Sequence, residues 1–64
     1  MQLFTVTGMT CGHCVRAVTA AITNRDARAA VRVDLATGRV EVDSEVPRTD
    51  LATAIVEEGY EVAA

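Results

Sequence analysis

The sequence has no lysine and no tryptophan, and only one phenylalanine, one tyrosine, one histidine, one proline and two cysteines in 64 residues. Without lysine every cation is one of six arginines, which against nine acids leave a formal net charge of −3. That balance excludes nucleic acid as the main partner, because phosphate binding needs a concentrated basic surface. No apolar run approaches the roughly 20 residues that span a bilayer, so direct membrane insertion is excluded as well. The start, Met1-Gln2-Leu3-Phe4-Thr5-Val6, lacks the charged end and apolar stretch of a secretory signal. The expectation is a soluble, cytoplasmic protein.

The scarcity of aromatics forces a core of small pieces. Half the residues are hydrophobic, and eleven of these are Ala and ten Val. A chain this short buries only about 60% of the surface its unfolded form exposes, so its stability is marginal and one domain over residues 1–64 is expected, with little room for a deep cleft. Small scaffolds often add disulfides or a structural metal. Here Cys11 and Cys14 stand too close in sequence to cross-link distant parts of the fold. In a reducing compartment such a pair points to metal binding or redox chemistry.

The hydrophobic pattern alternates between two periods. From Gln2 to Thr7, Phe4 and Val6 share one face and Thr5 and Thr7 the other, as in a half-buried strand that Gly8 ends. From about His13 to Thr23, Val15, Val18 and Ile22 recur at helical spacing, with Ala17 and Ala21 beside them. Asn24 to Ala29 reads as a connection. Val31, Val33 and Leu35 alternate with Arg32 and Asp34, Ala36-Thr37-Gly38 supplies a turn, and Val40 and Val42 alternate with Arg39, Glu41 and Asp43, which together predict a β-hairpin. Pro47 begins a second helix with Leu51, Ala54 and Ile55 inward, and Gly59 ends it. Glu57 and Glu58 sit unfavourably near its negative end. Tyr60 to Ala63 is a last strand, with Tyr60 and Val62 on one face. The order strand, helix, strand, strand, helix, strand predicts an α+β, ferredoxin-like βαββαβ fold, a four-stranded antiparallel sheet with both helices on one face.

The chemistry lies in Gly8-Met9-Thr10-Cys11-Gly12-His13-Cys14. Cys14 falls in the first helical turn, where unpaired N–H groups and the helix dipole favour a thiolate, and Gly12 is expected to let the loop bend. Two thiolates match Zn(II) poorly, since its structural sites are almost always four-coordinate and only His13 and carboxylates could complete the set. They match Cu(I), which is soft and accepts two or three ligands. A redox dithiol is the competing reading of the same pair.

The run Gly8-Met9-Thr10-Cys11-x-x-Cys14 resembles the signature of the heavy-metal-associated domain family. The resemblance extends over the whole chain, including Val31-Arg32-Val33-Asp34-Leu35 and Glu58-Gly59-Tyr60. His13 between the cysteines and Tyr60 after Gly59 are similar to the small bacterial copper chaperones within it. The resemblance implies a cytoplasmic Cu(I) carrier that binds copper through Cys11 and Cys14. Such a carrier delivers it to the metal-binding domains of a copper-transporting P-type ATPase, and in some cases to a copper-sensing repressor. It is not an enzyme. A metal-binding domain of a heavy-metal ATPase and a mercuric-ion carrier share the same signature.

The resemblance also implies that Met9 packs beneath the loop and that Tyr60 approaches the site. The residues themselves admit plainer roles: Tyr60 as core, Met9 as gap-filling thioether rather than ligand, Arg16 as a solvated helix residue. His13 is read as a solvated loop residue in the monomer and as an available third ligand when two molecules share copper. The apo protein is expected to be a monomer, with a copper-bridged dimer as the shared state. The sequence departs from the family at Ala27-Arg28, where relatives carry Gly and an apolar residue. Residues 1–32 hold four Arg against one Asp, residues 33–64 two Arg against eight acids. Docking is therefore expected on an Arg-bearing side next to the cysteines, with the acid-rich half turned away.

Overall fold

The computed structural model describes residues 1–10 and 12–63. Six elements follow in order: β1 (Gln2–Thr7), α1 (Gly12–Arg25), β2 (Ala30–Asp34), β3 (Arg39–Asp43), α2 (Arg48–Glu57) and β4 (Glu61–Ala63). The strands form one sheet in the order β2-β3-β1-β4, every neighbour antiparallel. The expected ferredoxin-like fold is the one observed.

Alternation along the strands decides which face is covered. Phe4, Val6, Val40 and Val42 on the two central strands are buried, while Leu3, Thr5, Thr7, Arg39 and Asp43 between them are exposed. The buried face meets Val18, Ala21 and Ile22 of α1 and Leu51, Ala54 and Ile55 of α2. Among the described residues no polar or charged residue is buried. Each of the large apolar side chains contributes roughly 1.5–3 kcal/mol by leaving water. The edge strands β2 and β4 contribute half-buried Val31, Val33 and Val62.

Several boundaries differ from the sequence expectation, each for a local reason; Pro47, expected to begin α2, precedes it as N-cap with φ −54° and ψ 142°. Leu35 does not continue β2. The Asp34 carboxylate accepts from the Ala36 N–H at 2.9 Å and its carbonyl accepts from Gly38 N–H at 2.9 Å, so the turn closes at Asp34 and leaves Leu35 40% exposed. Gly38, at φ 74°, is required there because a Cβ would stand 2.5 Å from the Val6 carbonyl oxygen. The last strand starts at Glu61 rather than Tyr60, in register with Thr7. α1 runs on to Arg25, whose guanidinium pairs with Glu57 at 2.7 Å and partly offsets the misplaced acid at the end of α2. Both groups are well exposed, so this pair is worth at most about 1 kcal/mol. Val15, expected inside, is only half-buried.

Two tethers went unseen in the sequence. Among the described residues the β4 register ends at Thr5, two residues short of the Leu3 carbonyl. The Arg48 guanidinium donates to it and stacks over the Phe4 ring, 4.2 Å from its centroid. At the α1–β2 connection, Asp26 accepts from Ser44 Oγ at 2.7 Å and from the Arg28 N–H at 2.9 Å. Ala27-Arg28 is thereby held in a turn by a neighbouring carboxylate rather than by a glycine.

The Ser44 hydroxyl and then the Arg28 N–H hold the Asp26 carboxyl below its ordinary value of 3.8. A depressed carboxylate stabilises the fold above its unfolded pKa and loses that contribution as pH falls through the folded one. Asp26→Asn is therefore expected to lower the melting temperature at neutral pH. In an acid titration followed by circular dichroism, the gap to the wild type closes below about pH 3.8. A gap that stays constant down to pH 2 would refute this account.

Candidate metal-binding site

β1 leads into the site and α1 leaves it. Gly8 turns the chain out of the strand with φ 94°, a left-handed conformation that costs a side-chain-bearing residue about 1–2 kcal/mol. Tyr60 stands against this turn: a Cβ at Gly8 would lie 3.6 Å from its Cδ1. Met9 and Tyr60 are both half-buried and pack on the core. Thr10 is exposed, with Oγ1 3.9 Å from Cys14 Sγ.

Gly12 is the first residue of α1 and has no positive φ, so the bend expected there is made at Gly8 instead. His13 is exposed and Cys14 half-exposed in the first turn of α1. The positive end of the α1 dipole lies at this turn. Cys11 lies outside the described residues. Met9, Thr10, His13, Cys14 and Tyr60 thus gather at one end of the molecule, with Met9 and Tyr60 anchored in the core and His13 turned to solvent.

The charge pattern differs from the expectation. Of the four arginines in the first half, only Arg16 lies near the site. Arg25 is eleven residues beyond Cys14 on α1, about 16 Å along the axis. Arg28 belongs to the connection, and Arg32 faces Glu41 across the β2–β3 pair. The acid-rich half is not turned away either. Glu61 pairs with Thr7, next to Gly8, and Glu58 caps α2 two residues before Tyr60. Sequence separation hid both contacts, since the sheet register alone brings residue 61 to residue 7.

A ferredoxin-like sandwich with thiol chemistry at the loop between β1 and α1 defines a class of small metal-handling domains. The chain belongs to the heavy-metal-associated domain family, whose profile matches residues 3–61. It is 41% identical over 61 residues to the copper chaperone CopZ of Bacillus subtilis, an alignment covering 91% of this chain and 88% of that protein. It is 39% identical over 64 residues to a copper chaperone CopZ of Staphylococcus aureus, covering 95% and 94%. Among solved structures, the copper chaperone Atx1 from Synechocystis PCC6803 in its Cu2 form superposes with a TM-score of 0.95 at 40% identity, covering 98% of this chain and 100% of that one.

Two glycines separate loop geometry from helix content. Gly8→Ala is expected to destabilise the fold by about 1–2 kcal/mol, on the order of 5–15 °C in melting temperature for a chain this size. Gly12→Ala, with nothing within 4 Å of the added Cβ, is expected to leave stability unchanged or raise it by up to about 1 kcal/mol. Equal losses at both positions would show that the bend is shared.

Proposed function

We propose that the protein is a Cu(I) chaperone of the cytoplasm. The reading is supported by one observation above the rest: Cys14 sits half-exposed in the first turn of α1, directly behind the family's Gly-Met-Thr-Cys loop. Cys11 and Cys14 hold Cu(I) as thiolates. Two thiolates and one Cu(I) leave a net −1, which the N-terminus of α1 stabilises. The soft d¹⁰ ion is satisfied by two sulfurs and accepts a third. An incoming thiolate from a partner forms a three-coordinate bridge and one original sulfur is released; a second partner thiolate then displaces the other original sulfur and completes the handover. No covalent bond of a substrate is made or broken, so the activity is carriage rather than catalysis.

Met9, packed on the core, holds the loop from below, and Tyr60 walls its strand side. His13 remains in solvent in the monomer and stands where it can join the copper when two molecules share it. The recipients are the metal-binding domains of a copper-transporting P-type ATPase and a copper-sensing repressor. The apo protein is a monomer and the copper-loaded protein forms a bridged dimer. Among the described residues no helix is long and apolar enough to cross a membrane.

Titration of the reduced protein against a coloured Cu(I) chelator tests the reading. The wild type should compete; Cys11→Ser and Cys14→Ser should lose more than about a hundredfold in affinity, and His13→Ala less than about tenfold. Affinity should fall as pH is lowered, because protons compete for the thiolates. Failure of the wild type to compete, or cysteine variants that compete equally well, would overturn the proposal. The same titration with Zn(II) and Hg(II) separates a copper carrier from a mercuric one.

A further inference from the structure

We infer that the outer edge of β2 is a docking surface for a second copy of this chain, the two β2 strands pairing antiparallel about a twofold axis at Val33. The inference needs no metal and goes beyond the function proposed above. β2 is the last strand on its side of the sheet, so one row of its backbone groups meets no other strand. The hairpin decides which row that is. The Gly38 N–H donates to the Asp34 carbonyl at 2.9 Å, so Asp34 turns its backbone groups toward β3. The Val6 N–H donates to the Gly38 carbonyl at 2.7 Å, which directs Gly38, Val40 and Val42 to β1 and leaves Arg39, Glu41 and Asp43 to bond β2. These directions alternate along a strand, so Ala30, Arg32 and Asp34 bond β3 while Val31 and Val33 present N–H and C=O to the open edge.

The run Val31-Arg32-Val33-Asp34-Leu35 is complementary to its own reverse. With the axis at Val33, Val33 meets Val33 of the other copy, Arg32 meets Asp34, and Val31 meets Leu35. Backbone and side chains select this same register. The central Val33 pair can exchange both hydrogen bonds, and Arg32 and Asp34 fall at the closer spacing, with Cα atoms about 4.5 Å apart. An axis at Arg32 would set two arginines face to face and turn the bonding groups away. Arg32 and Asp34 are exposed, and neither belongs to Arg25–Glu57, the one ion pair among the described residues. On the other side of the seam Val31 and Val33 are only half-buried and Leu35 is 40% exposed, so pairing covers apolar surface that the single chain leaves in water. β2 carries no proline or lysine and pairs β3 without a bulge, so it lacks the devices that commonly block an edge. The opposite edge, Glu61-Val62-Ala63, offers no opposite charge to a copy of itself. Because Val6 bonds Gly38, the β2–β3 turn and the thiol loop lie at the same end of the sheet. Antiparallel pairing therefore sends the two thiol loops to opposite ends of the joined sheet and leaves both open. A seam of one short strand is far smaller than a standard interface, so the dissociation constant is on the order of a millimolar, and the apo chain stays a monomer at micromolar concentration.

The test is amide hydrogen exchange by NMR on the reduced, metal-free protein at low ionic strength, diluted from about 1 mM to about 20 μM. The Val33 N–H should be protected when concentrated and exposed on dilution, while the Arg32 and Asp34 N–H groups stay protected throughout. Sedimentation over the same range should show dimers giving way to monomers. Val33→Pro removes the N–H on the axis at an edge where proline is tolerated, and should weaken dimerisation more than about tenfold. Asp34→Asn keeps an oxygen for the Ala36 N–H but removes the seam charge, and should weaken it on the order of fivefold, because the charge pair occurs twice. Asp43→Asn makes the same change of net charge on β3 and should leave dimerisation unchanged. If Val33→Pro fails to fold, the Val33 exchange and the two Asn variants decide. A chain that stays monomeric at the highest concentration, association without protection at Val33, or equal effects of Asp34→Asn and Asp43→Asn would each overturn the inference and leave copper carriage standing.

Discussion

The burial of one sheet face under two helices is the interaction on which everything else in this molecule depends. Phe4, Val40 and Val42 from the sheet and Val18, Ile22, Leu51 and Ile55 from the helices fill that layer, each essentially inaccessible to solvent. Because no polar residue is buried among the described ones, the side chains of this layer cohere through apolar area, while the backbone groups of its strands pair in the sheet ladders. Its small Val and Ala components let the helices lie close to the sheet, and a layer so thin tolerates few voids.

The site is placed by that layer without being part of it. Met9 and Tyr60, at the loop's edge, both pack against the core. Beside them the chain presents Cys14, half-exposed, in the first turn of α1. The apolar layer lies apart from this helix start, so the fold's stability comes from area buried away from the loop. The contrast with small domains that fold only around zinc follows from where the apolar area sits.

Much of this was legible before any coordinates. The period-two runs at 2–7, 31–34 and 39–43 and the helical spacing of Val18, Ile22, Leu51 and Ile55 mark elements whose faces are fixed by burial, and there sequence and structure agree. The disagreements fall where a side chain bonds its own backbone or where contact is remote in sequence. Leu35 fits the strand alternation, yet Asp34 closes the turn ahead of it. Gly12 seemed the flexible point of the loop because it lies between the cysteines; the positive φ belongs to Gly8, where the strand must be left. Arg48, which no local pattern singles out, donates to the Leu3 carbonyl and stacks over Phe4, 45 and 44 residues away in sequence.

The sequence by itself determined the element order and the identity of the core faces, because both are written in local spacing, and its Gly-Met-Thr-Cys run marked the family to which the chain belongs. It also suggested a charge division between its two halves, which is real along the chain. Only the tertiary structure decided how that division is distributed around the site: β4 returns antiparallel beside β1, and this register carries Glu61 to Thr7 and Tyr60 to Gly8. The helix rise meanwhile carries Arg25 away from the loop where Arg16 stays. Which charges meet a partner is set by strand pairing and helix length, and neither is a property of any single stretch of sequence.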